Sequence, residues 1–279
     1  MKFVTLLTLS LFFCGCATKH LASKVEQDKY DGFKEESFLR YTQDRLNGLD
    51  ANKYAALSLC HQKDFEEGLT TLRGQLKEKK KSADYWNQVG MCYFLREDYP
   101  KAEFYFNFSL EQDRNKNYAA ALNNLGILKL KDRHFDEAIT YFNKAKRGGH
   151  KVPRFNLAQV FLEFNLVDKA LIVLEDLHRS AQSDPDLLFS LASAYLMKGR
   201  TKNAMGILDK IPNEFRERED IALINAVTLY EQRNYYAAKE VLEATTFLSY
   251  YPLKKSAQKL TDLVEAEIAR IEKENKERE

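Results

Sequence analysis

The sequence predicts an all-α chain built as a solenoid of about six helical hairpins with a C-terminal capping helix. Three observations predict it. Glycine or alanine recurs at two fixed places in a unit of about 34 residues. Large apolar residues flank those places at helical spacing. Gly (11) and Pro (5) are scarce in a chain of 279 residues, which suits long helices joined by short turns.

The first element is an N-terminal signal over residues 1–15. Lys2 is followed by an uncharged, mainly apolar run from Phe3 to Phe13. A run of this length is too short to span about 30 Å of hydrocarbon as a helix, but it suits the core of a signal peptide. It ends at Cys14-Gly15-Cys16, after which the chain turns polar. Residues 16–48 read as a tether followed by a short leading helix that carries Phe38, Leu39, Tyr41 and Leu46.

The repeats then occupy 49–82, 83–116, 119–150, 151–184, 185–218 and 219–251. With Trp86 as the fourth residue of its unit, the eighth positions are Ala56, Gly90, Gly126, Ala158, Ala192 and Ala226. They lie 34, 36, 32, 34 and 34 residues apart. The twentieth positions are Gly68, Ala102, Ala138, Ala170, Ala204 and Ala238. Two helices approach closely only where side chains are small, so these positions mark the contact within each hairpin. The twenty-fourth positions, Leu72, Phe106, Phe142, Leu174, Leu208 and Leu242, fill the space beside it. One hairpin cannot bury its apolar face alone, so stability comes from stacking. The pattern departs at Lys129, where an aromatic is expected, and at Asn225, where a leucine is expected.

After Pro252 the residues Ala257, Leu260, Val264, Ile268 and Ile271 recur at steps of three and four. Residues 252–279 therefore read as an amphipathic helix with a charged tail. It either caps the last hairpin or offers a coil to a partner.

Composition excludes several function classes. Lys and Arg number 43 against 41 for Asp and Glu, so nothing marks a nucleic-acid binder. The five histidines are scattered, and no zinc, phosphate-loop or nucleophile-elbow motif occurs. No catalytic residue, metal or cofactor is expected, nor a small-molecule substrate. Cys60 and Cys92 sit on apolar segments and read as buried thiols. A disulfide between them is open in an oxidising compartment, but spacing alone cannot show proximity. The cluster Lys77, Lys79, Lys80 and Lys81 is a solvated loop, or a contact for anionic lipid heads or an acidic partner.

The quoted register (Trp86, Gly90, Tyr93, Ala102, Phe106) resembles the tetratricopeptide repeat. Cys14-Gly15-Cys16 resembles the lipobox of bacterial lipoproteins, with Cys16 the acylated residue. Phe13 and Cys14 are imperfect matches to the earlier lipobox positions. The absence of an aspartate after Cys16 implies, by the same resemblance, the inner leaflet of the outer membrane, facing the periplasm. In such arrays the first helix of each hairpin lines a peptide groove. Carried over by position, this implies groove residues Asn87, Gln88, Asn123, Asn124 and Asn156, with an apolar end at Phe189 and Tyr230. Side-chain amides can clamp a peptide backbone irrespective of sequence. The charged clamp of co-chaperone members is not matched, since mainly Lys53 and Lys131 qualify.

A lipid-anchored array of this size resembles the pilotin lipoproteins of type IV pilus systems. That resemblance implies a protein partner in the envelope and help in assembling a secretin. An adaptor for envelope hydrolases and a factor for outer-membrane β-barrel assembly are the alternatives.

Overall fold

The computed structural model describes residues 54–279, apart from Ala181, Ser183 and 248–250. The segments expected to be the signal (1–15), the acylated Cys16 with its tether and leading helix (16–48), and Lys53 lie outside the described residues. Among the described residues every regular element is helical. Helix α1 covers 54–61. It is followed by α2 (Phe65–Lys79), α3 (Ala83–Leu95), α4 (Tyr99–Gln112), α5 (Ala119–Lys131), α6 (Phe135–Ala145), α7 (Lys151–Glu163) and α8 (Val167–His178). Then come α9 (Pro185–Met197), α10 (Thr201–Leu208), α11 (Glu219–Glu231), α12 (Tyr235–Ala244) and α13 (Tyr251–Lys276). The fold is an all-α solenoid of the tetratricopeptide type.

Each hairpin turns on one residue in the left-handed region. These are Lys63, Glu97, Arg133, Asn165, Gly199 and Arg233, with φ between 57° and 71°, each the fifteenth residue of its unit. The next backbone N–H reaches back to a carbonyl five residues earlier, as in Asp98 to Tyr93 (2.9 Å) and Asn234 to Leu229 (2.9 Å). This is the Schellman closure of a helix end. Glycine is the residue that enters this region without steric cost, yet it stands at one turn in six. Replacing Arg133 or Arg233 with glycine is therefore expected to stabilise the chain by about 0.5–1 kcal/mol, read from urea melts. Unchanged or lowered stability would show that the arginine side chains hold these turns.

Caps set several helix starts. Ser82 accepts from the Tyr85 N–H at 3.3 Å, and Asp184 accepts from Asp186 and Leu187 at 3.1 and 3.0 Å. Pro100 and Pro185 sit in first turns, where a missing N–H costs nothing.

The chain forms two compact units, divided between Val160 and Phe161. In the earlier unit the first helices α3 and α5 are buried nearly all round, whereas α4 buries a stripe of Ala102, Phe106 and Ser109. The repeat-contact residues Gly90 and Gly126 are buried, as are Ala102, Ala138 and Ala158 at 0% exposure. A Cβ on Gly90 would lie 2.6 Å from Phe106 Cδ1, and one on Gly126 would lie 2.6 Å from Phe142 Cε1. Lys129, the outlier of the pattern, pairs with Glu103 on α4 at 2.7 Å and Glu137 at 3.8 Å. A charge thus replaces a ring by bringing its own partners. The hydrogen bond to Glu103 raises the Lys129 pKa against the pull of burial.

Cys60 on α1 and Cys92 on α3 are joined as a disulfide, with Cα atoms 5.3 Å apart. The pairing that spacing left open is thus made between the first helices of two successive hairpins. Gly68 is the one glycine among the twentieth positions, and a Cβ there would lie 2.5 Å from Cys60 Sγ. The missing methyl makes room for the sulfur.

In the later unit Ala170, Ala192 and Ala204 are also fully buried. Leu253, Ala257, Leu260, Val264 and Ile268 form the buried stripe of α13, which packs on α11 and α12. Arg218, just before α11, donates to both oxygens of Asp220 (2.9 and 2.6 Å) and reaches Asp186 on α9 at 2.8 Å. Burial lowers the tendency of the guanidinium to stay charged, but the two carboxylates outweigh it and raise its pKa. Arg218→Met leaves two carboxylates facing each other, each about a fifth to a quarter exposed. The expected cost is about 2–3 kcal/mol, below the full range for buried pairs because water reaches the site. Adding Asp186→Asn and Asp220→Asn should recover most of it in thermal melts. A triple variant no better than Arg218→Met would show that packing, not charge, sets the loss.

Candidate functional site

The first helices bring four amides into one row. Asn124 Nδ2 on α5 donates to Asn87 Oδ1 on α3 at 3.0 Å. Asn156 Nδ2 on α7 donates to Asn123 Oδ1 at 2.8 Å. Asn123 Nδ2 meets Asn124 Oδ1 at 3.4 Å. The row therefore runs Asn156, Asn123, Asn124, Asn87 across three successive hairpins. Gln88 turns aside and donates to Asp84 at 3.0 Å.

All five amide side chains expected to line the groove are buried, between 0% and 7% exposed. Four bond to one another instead of standing open to a peptide. Positions five and six of each first helix therefore face the first helix of the neighbouring hairpin. Two amide atoms in this region stay unpaired. Asn87 Nδ2 and Gln88 Oε1 are buried without a hydrogen-bond partner, each at a cost of about 1–3 kcal/mol.

Phe189 on α9 and Tyr230 on α11 belong to the later unit, and both are half-buried. Tyr230 packs on Tyr235 with ring centroids 5.4 Å apart. Burial, with Glu267 nearby, pushes its hydroxyl pKa up. Leu196, Leu223 and Val227, on the same two helices, are buried.

Sequence reasoning missed an aromatic cluster on α3 and α4. Tyr93 stacks on Tyr105 at 5.2 Å, Tyr105 on Trp86 at 5.7 Å, and Phe108 meets Trp86 edge-on at 4.7 Å. Phe104 stacks on Phe108 at 6.2 Å and is 61% exposed. The signal was available at positions twenty-two and twenty-six, which the repeat does not require to be aromatic. Among the described residues no three His, Cys, Asp or Glu side chains group to hold a metal. Nor is any helix there long and apolar enough to cross a membrane.

Helical hairpins, the left-handed turn at position fifteen and the Gly/Ala contacts define a scaffold class, the α-solenoids suited to binding other proteins. Within it the fold is that of a tetratricopeptide-type solenoid. A family model described as tetratricopeptide repeat matches residues 81–148. One described as anaphase-promoting complex, cyclosome, subunit 3 matches residues 163–245. A curated relative, anaphase-promoting complex subunit 3 of Schizosaccharomyces pombe, is 23% identical over 134 residues. The match covers 47% of this chain and 20% of the relative, so the chain spans about a fifth of that relative's length.

Solved structures agree on the fold. One, from a functional characterization of Pseudomonas aeruginosa PilF, has a TM-score of 0.61 at 17% identity, covering 72% of this chain and 90% of that one. The Cut9–Hcn1 heterotetramer of the anaphase-promoting complex gives 0.60 at 18% identity, over 88% and 51%. YrrB, described as a tetratricopeptide protein with an unusual peptide-binding site, gives 0.50 at 19% identity, over 62% and 89%. At these identities the likeness is one of fold.

Proposed function

We propose that the chain is a lipid-anchored periplasmic scaffold that assists assembly of an outer-membrane complex such as a type IV pilus secretin. The observation that carries the reading is the apolar run closed by Gly15-Cys16 ahead of a tetratricopeptide array. The likeness of fold to PilF over 90% of that chain supports it. The Cys60–Cys92 disulfide also supports it, because such bonds persist in oxidising compartments outside the cytosol. Two or three acyl chains on Cys16 would hold the protein firmly, since each buried methylene contributes about 0.8 kcal/mol. The solenoid would then offer its helical surface to a partner polypeptide, with the buried amide row tying three successive first helices together beneath it.

Metabolic labelling with an alkynyl palmitate tests the anchor. Label is expected on the exported chain and absent from a Cys16→Ala variant; label that persists in the variant sinks the assignment. Deleting the gene tests the assembly role. Secretin monomers in place of multimers, with surface pili lost, are expected, whereas normal multimers would remove the secretin from the proposal.

A further inference from the structure

The aromatic cluster on α3 and α4 exceeds what the repeat needs. Trp86 and Tyr93 occupy positions where tetratricopeptide units carry rings, but Phe104 and Phe108 do not. They are residues twenty-two and twenty-six of their unit. The same places in the other units hold Thr70 and Gly74, Thr140 and Lys144, Ile172 and Asp176, Gly206 and Lys210, and Glu240 and Ala244. Phe104 leaves 61% of its surface in water, so packing does not explain it.

Beside these rings lies the basic cluster, which is not a loop as the sequence suggested: Lys77 and Lys79 stand in the last turn of α2, and Lys80 and Lys81 follow it. Trp86 Nε1 donates to the Lys80 carbonyl at 2.8 Å, which ties the end of α2 to the ring that Phe108 touches. Lys77, Lys80 and Lys81 are exposed and Lys79 is half-exposed. Among the described residues no carboxylate pairs with any of the four. Glu78 is the one acidic residue within the run, and Asp84, the nearest beyond it, accepts from Gln88 and Tyr118.

We infer that this patch docks the protein on an anionic lipid surface. Its parts are those that settle at a water–lipid boundary. Exposed phenylalanine enters the acyl edge, the amphipathic Trp and Tyr rings lie level with the headgroups, and lysine stems reach back to the phosphates. The cations are all lysines, flexible point charges without the planar fork that fixes a carboxylate in place. They match a diffuse layer of lipid phosphates better than positioned acidic side chains on a protein. On an anchored scaffold the patch sets which face turns to the bilayer. The patch itself does not need the anchor.

The chain carries a single tryptophan, and it sits in this patch, so intrinsic fluorescence reads the contact directly. Full-length chain is titrated with vesicles of phosphatidylglycerol and brominated phosphatidylcholine, and with vesicles of phosphatidylcholine alone. Quenching of Trp86 is expected on the anionic vesicles. Affinity should fall about tenfold or more when Lys77, Lys79, Lys80 and Lys81 become Gln, and quenching should weaken in Phe104→Ser. All five side chains reach the surface, and unchanged thermal melts will show that the variants fold. Quenching that ignores the anionic fraction, or survives the lysine changes, assigns the contact to the apolar N-terminus and overturns the inference. So does binding to polyglutamate with no quenching on vesicles. A Cys16→Ser chain separates the two proposals. Loss of acyl label with quenching kept leaves the patch standing, and quenching absent from a labelled chain removes the patch alone.

Discussion

Phe142→Ala is expected to lower stability by about 3–5 kcal/mol in urea melts, the loss for emptying a buried aromatic site. Phe142 is fully buried, and its ring occupies the space where Gly126 lacks a Cβ, 2.6 Å from the place a methyl would take. Gly126→Ala should therefore also destabilise. Overpacking costs about 1–3 kcal/mol and exceeds the gain of up to about 1 kcal/mol from replacing a helical glycine. The two residues form one packing unit. Every repeat with glycine at position eight has phenylalanine at position twenty-four: Gly90 with Phe106 and Gly126 with Phe142. Every repeat with alanine there has leucine: Ala56 with Leu72, Ala158 with Leu174, Ala192 with Leu208 and Ala226 with Leu242. The missing methyl of the first helix is exchanged for the larger ring of the second. Gly126→Ala combined with Phe142→Leu should come within about 1 kcal/mol of the natural chain, a coupling of about 1–3 kcal/mol between the sites. Strictly additive losses would show that the ring moves aside and that the pairing is incidental.

This exchange shows why the fold was legible and the site less so. Small residues at positions eight and twenty repeat because every hairpin meets the same steric demand, and a demand met six times stands out in one sequence. The turns were less legible. Five of six left-handed positions carry Lys, Glu, Arg or Asn in place of glycine, so the residue that usually marks such a turn is missing. The hydrogen bonds from the next N–H hold the geometry without it. The amides at positions five and six were visible as a run of Asn, but which way they face depends on how closely the helices approach. The salt bridges of Lys129 with Glu103 and of Arg218 with Asp186 join residues 26 and 32 apart. Such pairs become visible only when the hairpins are stacked.

Reducing the Cys60–Cys92 disulfide is expected to remove about 3–4 kcal/mol of stability. The bond closes a loop with a sequence separation of 32, and closing such a loop in the unfolded chain costs entropy on that scale. Native contacts barely change, since both sulfurs are buried at 0–1% exposure and the first helices remain packed. The effect should therefore appear as a lower urea midpoint in dithiothreitol, with the slope changed because the unfolded chain is less confined. Cys92→Ala should show the lowered midpoint with or without reductant. Gly68→Ala separates the bond from the packing around it. Its methyl would lie 2.5 Å from Cys60 Sγ and 2.9 Å from the Ala56 carbonyl, and a backbone oxygen cannot swing away. It should destabilise the oxidised chain most, because the bridged sulfur is fixed while a free thiol can rotate. Equal loss in both redox states would place the clash on Ala56 alone. If dithiothreitol leaves the midpoint of exported protein unchanged, and both thiols react with maleimide after unfolding without reductant, the bond does not form where the protein works. The oxidising location proposed for it would then lose this support.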